Sequence, residues 1–251
     1  MKKYKLEAKD IQRMVPSMGG VFASDMITLE GKKVDYMVRQ EPEREADSGW
    51  IMYGGGETQE YIDDPTNVSI WDINTLANYD PEIIPFLTYP TGTEVERNDE
   101  GVLELIDLEA ERPAVVLLQP IDDGFVKITE NWSFDIKSRL LRRLENSSLV
   151  VWKPGLTIWM NAYNSNDLSL EQRIESVMST RSEAAFDAKE LKTNELTKMS
   201  YRLIEEGEEG DQPSAYIFGF TEKYEVHLTI YYDDDKYLKD VESVFESLVC
   251  K

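Results

Sequence analysis

Residues 149–163 read LVVW-KPG-LTIWMNAY, and this stretch sets the fold expected of the C-terminal half of the chain. Two apolar runs flank Lys153-Pro154-Gly155, which is turn chemistry, so the segment predicts a β-hairpin. In the second run Leu156, Ile158, Met160 and Ala162 share one face, and Thr157, Trp159, Asn161 and Tyr163 share the other. A helix is expected next. Ser169 and Gln172 have the spacing of a capping box, and Leu170, Ile174, Val177 and Met178 fall on one stripe. Further on, MSYRLIEE (199–206), SAYIFGFT (214–221) and YEVHLTIYY (224–232) predict a three-stranded meander, its last pair turning at Glu222-Lys223. A final helix starts among Asp233, Asp234 and Asp235, where acids suit the positive end of the helix dipole. Its buried side is expected to carry Leu238, Val241, Phe245 and Leu248.

Working back toward the N-terminus, PAVVLLQP (113–120) and GFVKITENWSFDI (124–136) also read as strands. The order of strands, helix, three strands and helix predicts an α+β domain, an antiparallel sheet covered on one face by two helices. The first third alternates over shorter distances. VFASDMITL (21–29) and KKVDYMVRQ (32–40) predict two strands joined by a turn at Glu30-Gly31-Lys32, and GWIMYG (49–54) a third. Ile73, Leu76 and Ala77 are spaced for one helical face, after which Pro81 and Pro85 break the chain into short turns. GTEVER and VLELIDL read as closing strands. A small β-rich N-terminal domain is therefore expected over residues 1–112 and the α+β domain over 113–251, divided near Arg112, where an acidic stretch ends in proline.

The 251 residues are 41% hydrophobic and 30% charged, a composition that fits a folded protein. Forty-nine acidic side chains against 27 basic ones leave a net charge of −22. Such a field repels nucleic acid and anionic membrane surfaces and attracts a cationic protein. It also serves plain solubility. The opening residues carry lysines with no apolar run behind them, which is not a secretory pattern, so the cytoplasm is the expected compartment. The single cysteine, Cys250, excludes an intrachain disulfide and reads as a minor thiol at a helix end.

Several pieces between Gly19 and Thr88 share their order and spacing with a known family. They are Gly19-Gly20 leading into FASDMIT, then VDYMVRQEP, DSGW, EYIDDPTN and WDINTLANYDPEIIPFL. In these the chain resembles the bacterial immunity domains numbered thirty-three in the polymorphic-toxin classification. The resemblance implies a role in protecting against a toxin and says nothing of mechanism. By element order alone, the C-terminal half also looks like the sandwich of photosystem-associated and Mog1-type proteins.

Catalytic chemistry finds little support. His227 is the only histidine and alternates with Val226 and Leu228, as a half-exposed strand residue does. Ser-His-Asp and Cys-His mechanisms would need this one residue as base, no G-x-S-x-G elbow accompanies it, Cys250 is poorly placed, and multi-histidine metal sites are excluded by count. Gly54-Gly55-Gly56 precedes Glu57, Thr58 and Gln59, where a phosphate loop needs Lys and Ser or Thr. Asn67, Asn131 and Asn146 begin N-x-S/T triplets, which carry no glycosylation meaning without secretion. Only carboxylates remain. Asp63-Asp64 with Asn67, Glu57 and Glu60 nearby offer oxygen ligands for a hard cation, or an acid–base pair, but lack the rhythm of a calcium loop.

An interface suits the same residues better. Aromatic anchors supply affinity and acids select a basic face. The candidate partner-binding residues are Asp25, Tyr36, Arg39, Glu41, Asp47, Trp50, Tyr53, Tyr61, Asp63, Asp64, Trp71, Asp72, Asn78, Tyr79 and Asp80. Trp50 and Trp71 fit a core equally well, and Asn78 and Asp80 fit helix caps. The leading reading is a non-catalytic cytoplasmic immunity-type protein that binds a cognate toxin or other basic protein, with no cofactor or metal and no nucleic-acid or membrane partner. A carboxylate-based hydrolase, with or without a divalent metal, and a housekeeping binding scaffold are the alternatives.

Overall fold

In the computed structural model, Ser24 ends the first strand by starting a helix: its Oγ accepts a hydrogen bond from the Met26 amide at 3.2 Å. Residues 2–165, 168–207 and 210–251 are described, and the chain divides into two units, Met1–Gln119 and Pro120–Lys251. The first contains, in order, β1 (Gly20–Ser24), α1 (Asp25–Thr28), β2 (Tyr36–Arg39), β3 (Asp47–Tyr53), α2 (Gln59–Asp63), β4 (Val68–Asp72), α3 (Ile73–Tyr79), a 3-10 turn (Pro81–Phe86), β5 (Glu94–Arg97) and β6 (Leu103–Leu105). The strands make one mixed sheet in the order β4-β1-β3-β2-β5-β6. The expected hairpin of VFASDMITL with KKVDYMVRQ does not form. Only half of the first segment is strand, and β1 pairs in parallel with β3 and antiparallel with β4. The serine cap makes DMIT helical, with Ile27 and Thr28 buried.

One face of this sheet carries the core of the unit. Val21, Ala23, Met37, Trp50, Met52 and Val95 have no exposure, nor do Ile73, Leu76 and Ala77 of α3 or Ile83 and Ile84 of the 3-10 turn. Trp50 donates its indole N–H to the Leu87 carbonyl at 3.2 Å, tying the central strand to that turn. The helical face expected over Ile73–Ala77 is the one that is buried.

The second unit holds β8 (Phe125–Lys127), β9 (Trp132–Asp135), β10 (Leu140–Glu145), β11 (Ser148–Lys153), β12 (Leu156–Asn164), α4 (Leu170–Ser179), β13 (Phe186–Lys192), β14 (Thr197–Glu205), β15 (Gln212–Phe220), β16 (Tyr224–Tyr232), α5 (Leu238–Ser247) and β17 (Val249–Cys250). The division between units falls inside β7 (Val115–Ile121), the edge strand of an eight-stranded sheet ordered β13-β14-β15-β16-β12-β11-β10-β7. The quoted hairpin is its centre, with Lys153 opposite Leu156 across Pro154-Gly155. The meander follows as expected, and so does the Ser169–Gln172 capping box.

The expected fold class is overturned. Among the described residues the protein is mostly β, seventeen strands in three sheets, and not an α+β sandwich with two helices over one face. The Mog1-type likeness has no support. Ile217 packs into the cluster that includes Val244 and Leu248 at the α5 end, whereas its neighbour Phe218 packs under Ile174 and Val177 of α4. Successive strand residues point to opposite faces, so the two helices lie on opposite faces of the sheet. On the α5 side a separate sheet, β17-β9-β8, contributes Trp132 and Phe134 to the core. Gly219 is required there, because a Cβ at that position would sit 2.7 Å from the Trp132 ring. The strands β10 (LLRRLE) and β13 (FDAKELK) carry too much charge to show apolar alternation, yet they widen the sheet; β13 is exposed along its whole length. Cys250 lies in the short strand β17 and not at a helix end, opposite Trp132.

Among the described residues no helix is long and apolar enough to cross a membrane.

Candidate recognition face of the N-terminal sheet

Because Val21 and Ala23 of β1 point into the core, Phe22 between them points the other way. Strand pairing then fixes what stands beside it. Ile70 of β4 lies opposite Phe22 on one side and Ile51 of β3 on the other; Val38 of β2 lies opposite Ile51, and Glu94 of β5 opposite Val38. The result is one row across five strands. A second row runs beside it through Tyr53, Tyr36, Glu96 and Glu104, from β3 to β6. At ~4.8 Å per strand the apolar part of the first row, from Ile70 to Val38, spans roughly 14 Å.

This face is open to solvent. Ile70 is 62% exposed and Phe22 36%, while Ile51, Val38, Tyr36 and Tyr53 are half-buried. Tyr36 and Tyr53 stack with ring centroids 6.3 Å apart, and the Tyr36 hydroxyl donates to Glu94 Oε2 at 2.6 Å. Burial, and then the hydrogen bond to Glu94, push the Tyr36 phenol up to about 12. Burial followed by the charge of Glu57 raises that of Tyr53.

The rows change character from one side to the other, apolar over β4, β1, β3 and β2 and acidic over β5 and β6. None of their nine positions is Lys or Arg. Glu96 and Glu104 stand directly opposite each other, and among the described residues neither has a basic group within salt-bridge distance. Like charges so placed destabilise a sheet. Apolar area beside unpaired carboxylates is the composition of a contact surface that selects a basic face.

Of the residues singled out from sequence, Tyr36 and Tyr53 stand in these rows, and Asp72, two residues along β4 from Ile70, shares its side of the strand. Trp50 lies in the core, and Asp80 is fully buried, accepting from Val34 N at 3.0 Å and from Arg97 Nη2 at 2.7 Å. Asp25 is buried and paired with Lys2. Arg39 reaches inward, donating to the Ser48 and Tyr89 carbonyls, and burial lowers its pKa. Asp72 caps α3 through the Asn74 amide, and Trp71 meets Tyr4 edge-on at 4.7 Å. Asn78 and Tyr79 hold the N-terminal segment, accepting from Gln12 N at 2.9 Å and Leu6 N at 3.2 Å.

The remaining five lie in loops or on the short elements beside them. Glu41 is exposed after β2, and Asp47 accepts from the Gly49 and Glu43 amides, which lower its pKa. Asp63 takes a hydrogen bond from Gln59, and Asp64 takes two from Thr66, which lower the Asp64 pKa. Tyr61, half-buried on α2, accepts at its carbonyl from Asn67 Nδ2. Each of Asp63 and Asp64 thus engages its own neighbour, and among the described residues no three His, Cys, Asp or Glu side chains gather as a metal site.

Phe22, Val38, Ile51, Ile70, Glu94, Glu96 and Glu104 were not singled out by sequence reasoning. Their signal lies in the phase of the alternation: GVFAS and VSIW are apolar on both faces, and a large side chain out of phase with the buried set has to meet something else or water.

Residues 21–107 match the model of the Immunity protein Imm33 domain, from β1 to just past β6. The match ends before the second unit begins. A search of curated proteins gives no match for this chain.

Proposed function

We propose that this protein neutralises a cognate, basic toxin by binding it stoichiometrically in the cytoplasm, without catalysis. The observation that carries the reading is the Imm33 match over the unit whose sheet leaves one face open. The net charge of −22 supports a basic partner, because it speeds encounter with a cationic protein by ~10 to 1000-fold at low salt. Inhibition follows from occlusion, with carboxylates occupying the place that phosphates take in a polyanion-handling active site.

Co-expression with the toxin encoded beside it is the test. Restored growth, together with a one-to-one complex on size exclusion, is expected. A toxin that still kills, and that forms no complex with the purified protein, removes this reading.

A further inference from the structure

We infer that the open face of the six-stranded Imm33 sheet is the docking surface, and that its occupant is a basic protein element carrying an apolar side chain next to clustered lysines or arginines. This rests on the immunity reading above and adds where the partner sits and how it is oriented. Two independent features of the face support it. The row Ile70–Phe22–Ile51–Val38 keeps apolar area in water, most of it at Ile70 and Phe22, on a unit whose other face already holds a core. Beside it, Glu96 and Glu104 repel each other across β5 and β6. A cation placed between them relieves that repulsion, so the sheet is electrostatically incomplete on its own.

The two halves also fix orientation. The apolar contact falls over β4, β1 and β3, and the partner's cations fall over β5 and β6. Tyr36 stands at the border, its ring stacked on Tyr53 and its hydroxyl turned to Glu94. This arrangement, an apolar centre with charge at one side, is how interfaces separate affinity from selectivity.

The experiment is calorimetric titration of the full chain with the toxin encoded beside it, at low and at high salt. Wild type is compared with F22S/I70S, with E104K, and with L144S, an exposed apolar position on the second unit. F22S/I70S is expected to weaken binding roughly 100-fold at both salts. E104K is expected to weaken it by about tenfold at low salt and to flatten the salt dependence. L144S leaves it unchanged.

E104K can form a cross-strand pair with Glu96 instead of exposing a cavity, so loss of binding in that variant is not loss of fold. Tight binding by wild type that survives both F22S/I70S and E104K overturns the inference and leaves the immunity reading intact. No binding by wild type overturns that reading and the inference with it. Should the face instead hold a second copy of this chain, sedimentation shows a dimer that F22S/I70S dissociates while toxin affinity stays the same, which also overturns the inference.

Discussion

Phe22 on β1 lies directly opposite Ile70 on β4, and both side chains project from the open side of the Imm33 sheet. Their neighbours Val21 and Trp71 are likewise opposite each other on the inner side. Two adjacent pairs on the same strands thus serve different ends, one folding and one recognition.

Stability measurements separate the two. I70S changes unfolding free energy by no more than about 0.5 kcal/mol, as exposed substitutions do. V21A, which removes two methyl groups from the fully buried side, costs roughly 2 kcal/mol. Urea denaturation followed by tryptophan fluorescence checks both. A loss in I70S as large as in V21A means that the face is covered.

Asp80 is the polar fastener of the first unit. It holds Val34 N, the Glu82 amide and Arg97 Nη2, and it is fully buried. D80A leaves Arg97 without this partner and is expected to cost ~3–5 kcal/mol in denaturant unfolding of the unit. A loss below ~1 kcal/mol would mean that the pair contributes no more than a surface one does.

Tyr36 gives the alkaline limb of stability a definite sign. Its phenol is raised to about 12 in the folded protein, above the ordinary tyrosine value near 10, so the folded state holds the proton more tightly. The stability it contributes is full below about pH 10 and is lost as pH rises toward 12. Y36F therefore flattens the stability profile between those limits. An unchanged slope there contradicts the assignment.

Gly155 closes the central hairpin with φ +79, and a Cβ on it would come 2.5 Å from the Tyr237 hydroxyl, which itself donates to the Pro154 carbonyl at 2.6 Å. G155A has to carry backbone strain of roughly 1–3 kcal/mol as well as that clash. The melting temperature of the second unit is expected to fall accordingly. Against a Y237A background, which removes the ring atoms at 2.6 and 2.8 Å together with the hydroxyl, G155A is expected to cost less than it does in wild type.

Local chemistry made parts of this fold legible. The Lys153-Pro154-Gly155 turn, the Ser169–Gln172 capping box and the Ile73–Ala77 face each depend on residues a few positions apart, and each is found as expected. What was hidden depends on distant partners. A parallel neighbour for β1 leaves no mark on its sequence, and Ser24 looks like any strand residue until its hydroxyl caps a helix. The charged strands β10 and β13 have no apolar phase to read, and without them the second sheet looks small enough for two helices to cover. The candidate site was masked in the same way. Density of aromatics and acids drew attention to Trp50, Asp72 and Asp80, which the fold uses for its core and caps. Phe22 and Ile70 carry ordinary apolar side chains and are distinguished only by which way they point.

Hydroxyl-radical footprinting of the protein, free and saturated with the toxin partner proposed for it, tests the central claim most directly. Oxidation at Phe22, Tyr36, Tyr53 and Ile70 is predicted to drop together on binding, while Tyr163 and Leu144 on the second unit keep their free-state rates. Protection confined to residues 120–251, with the four positions of the Imm33 face still reactive in the complex, would contradict the account.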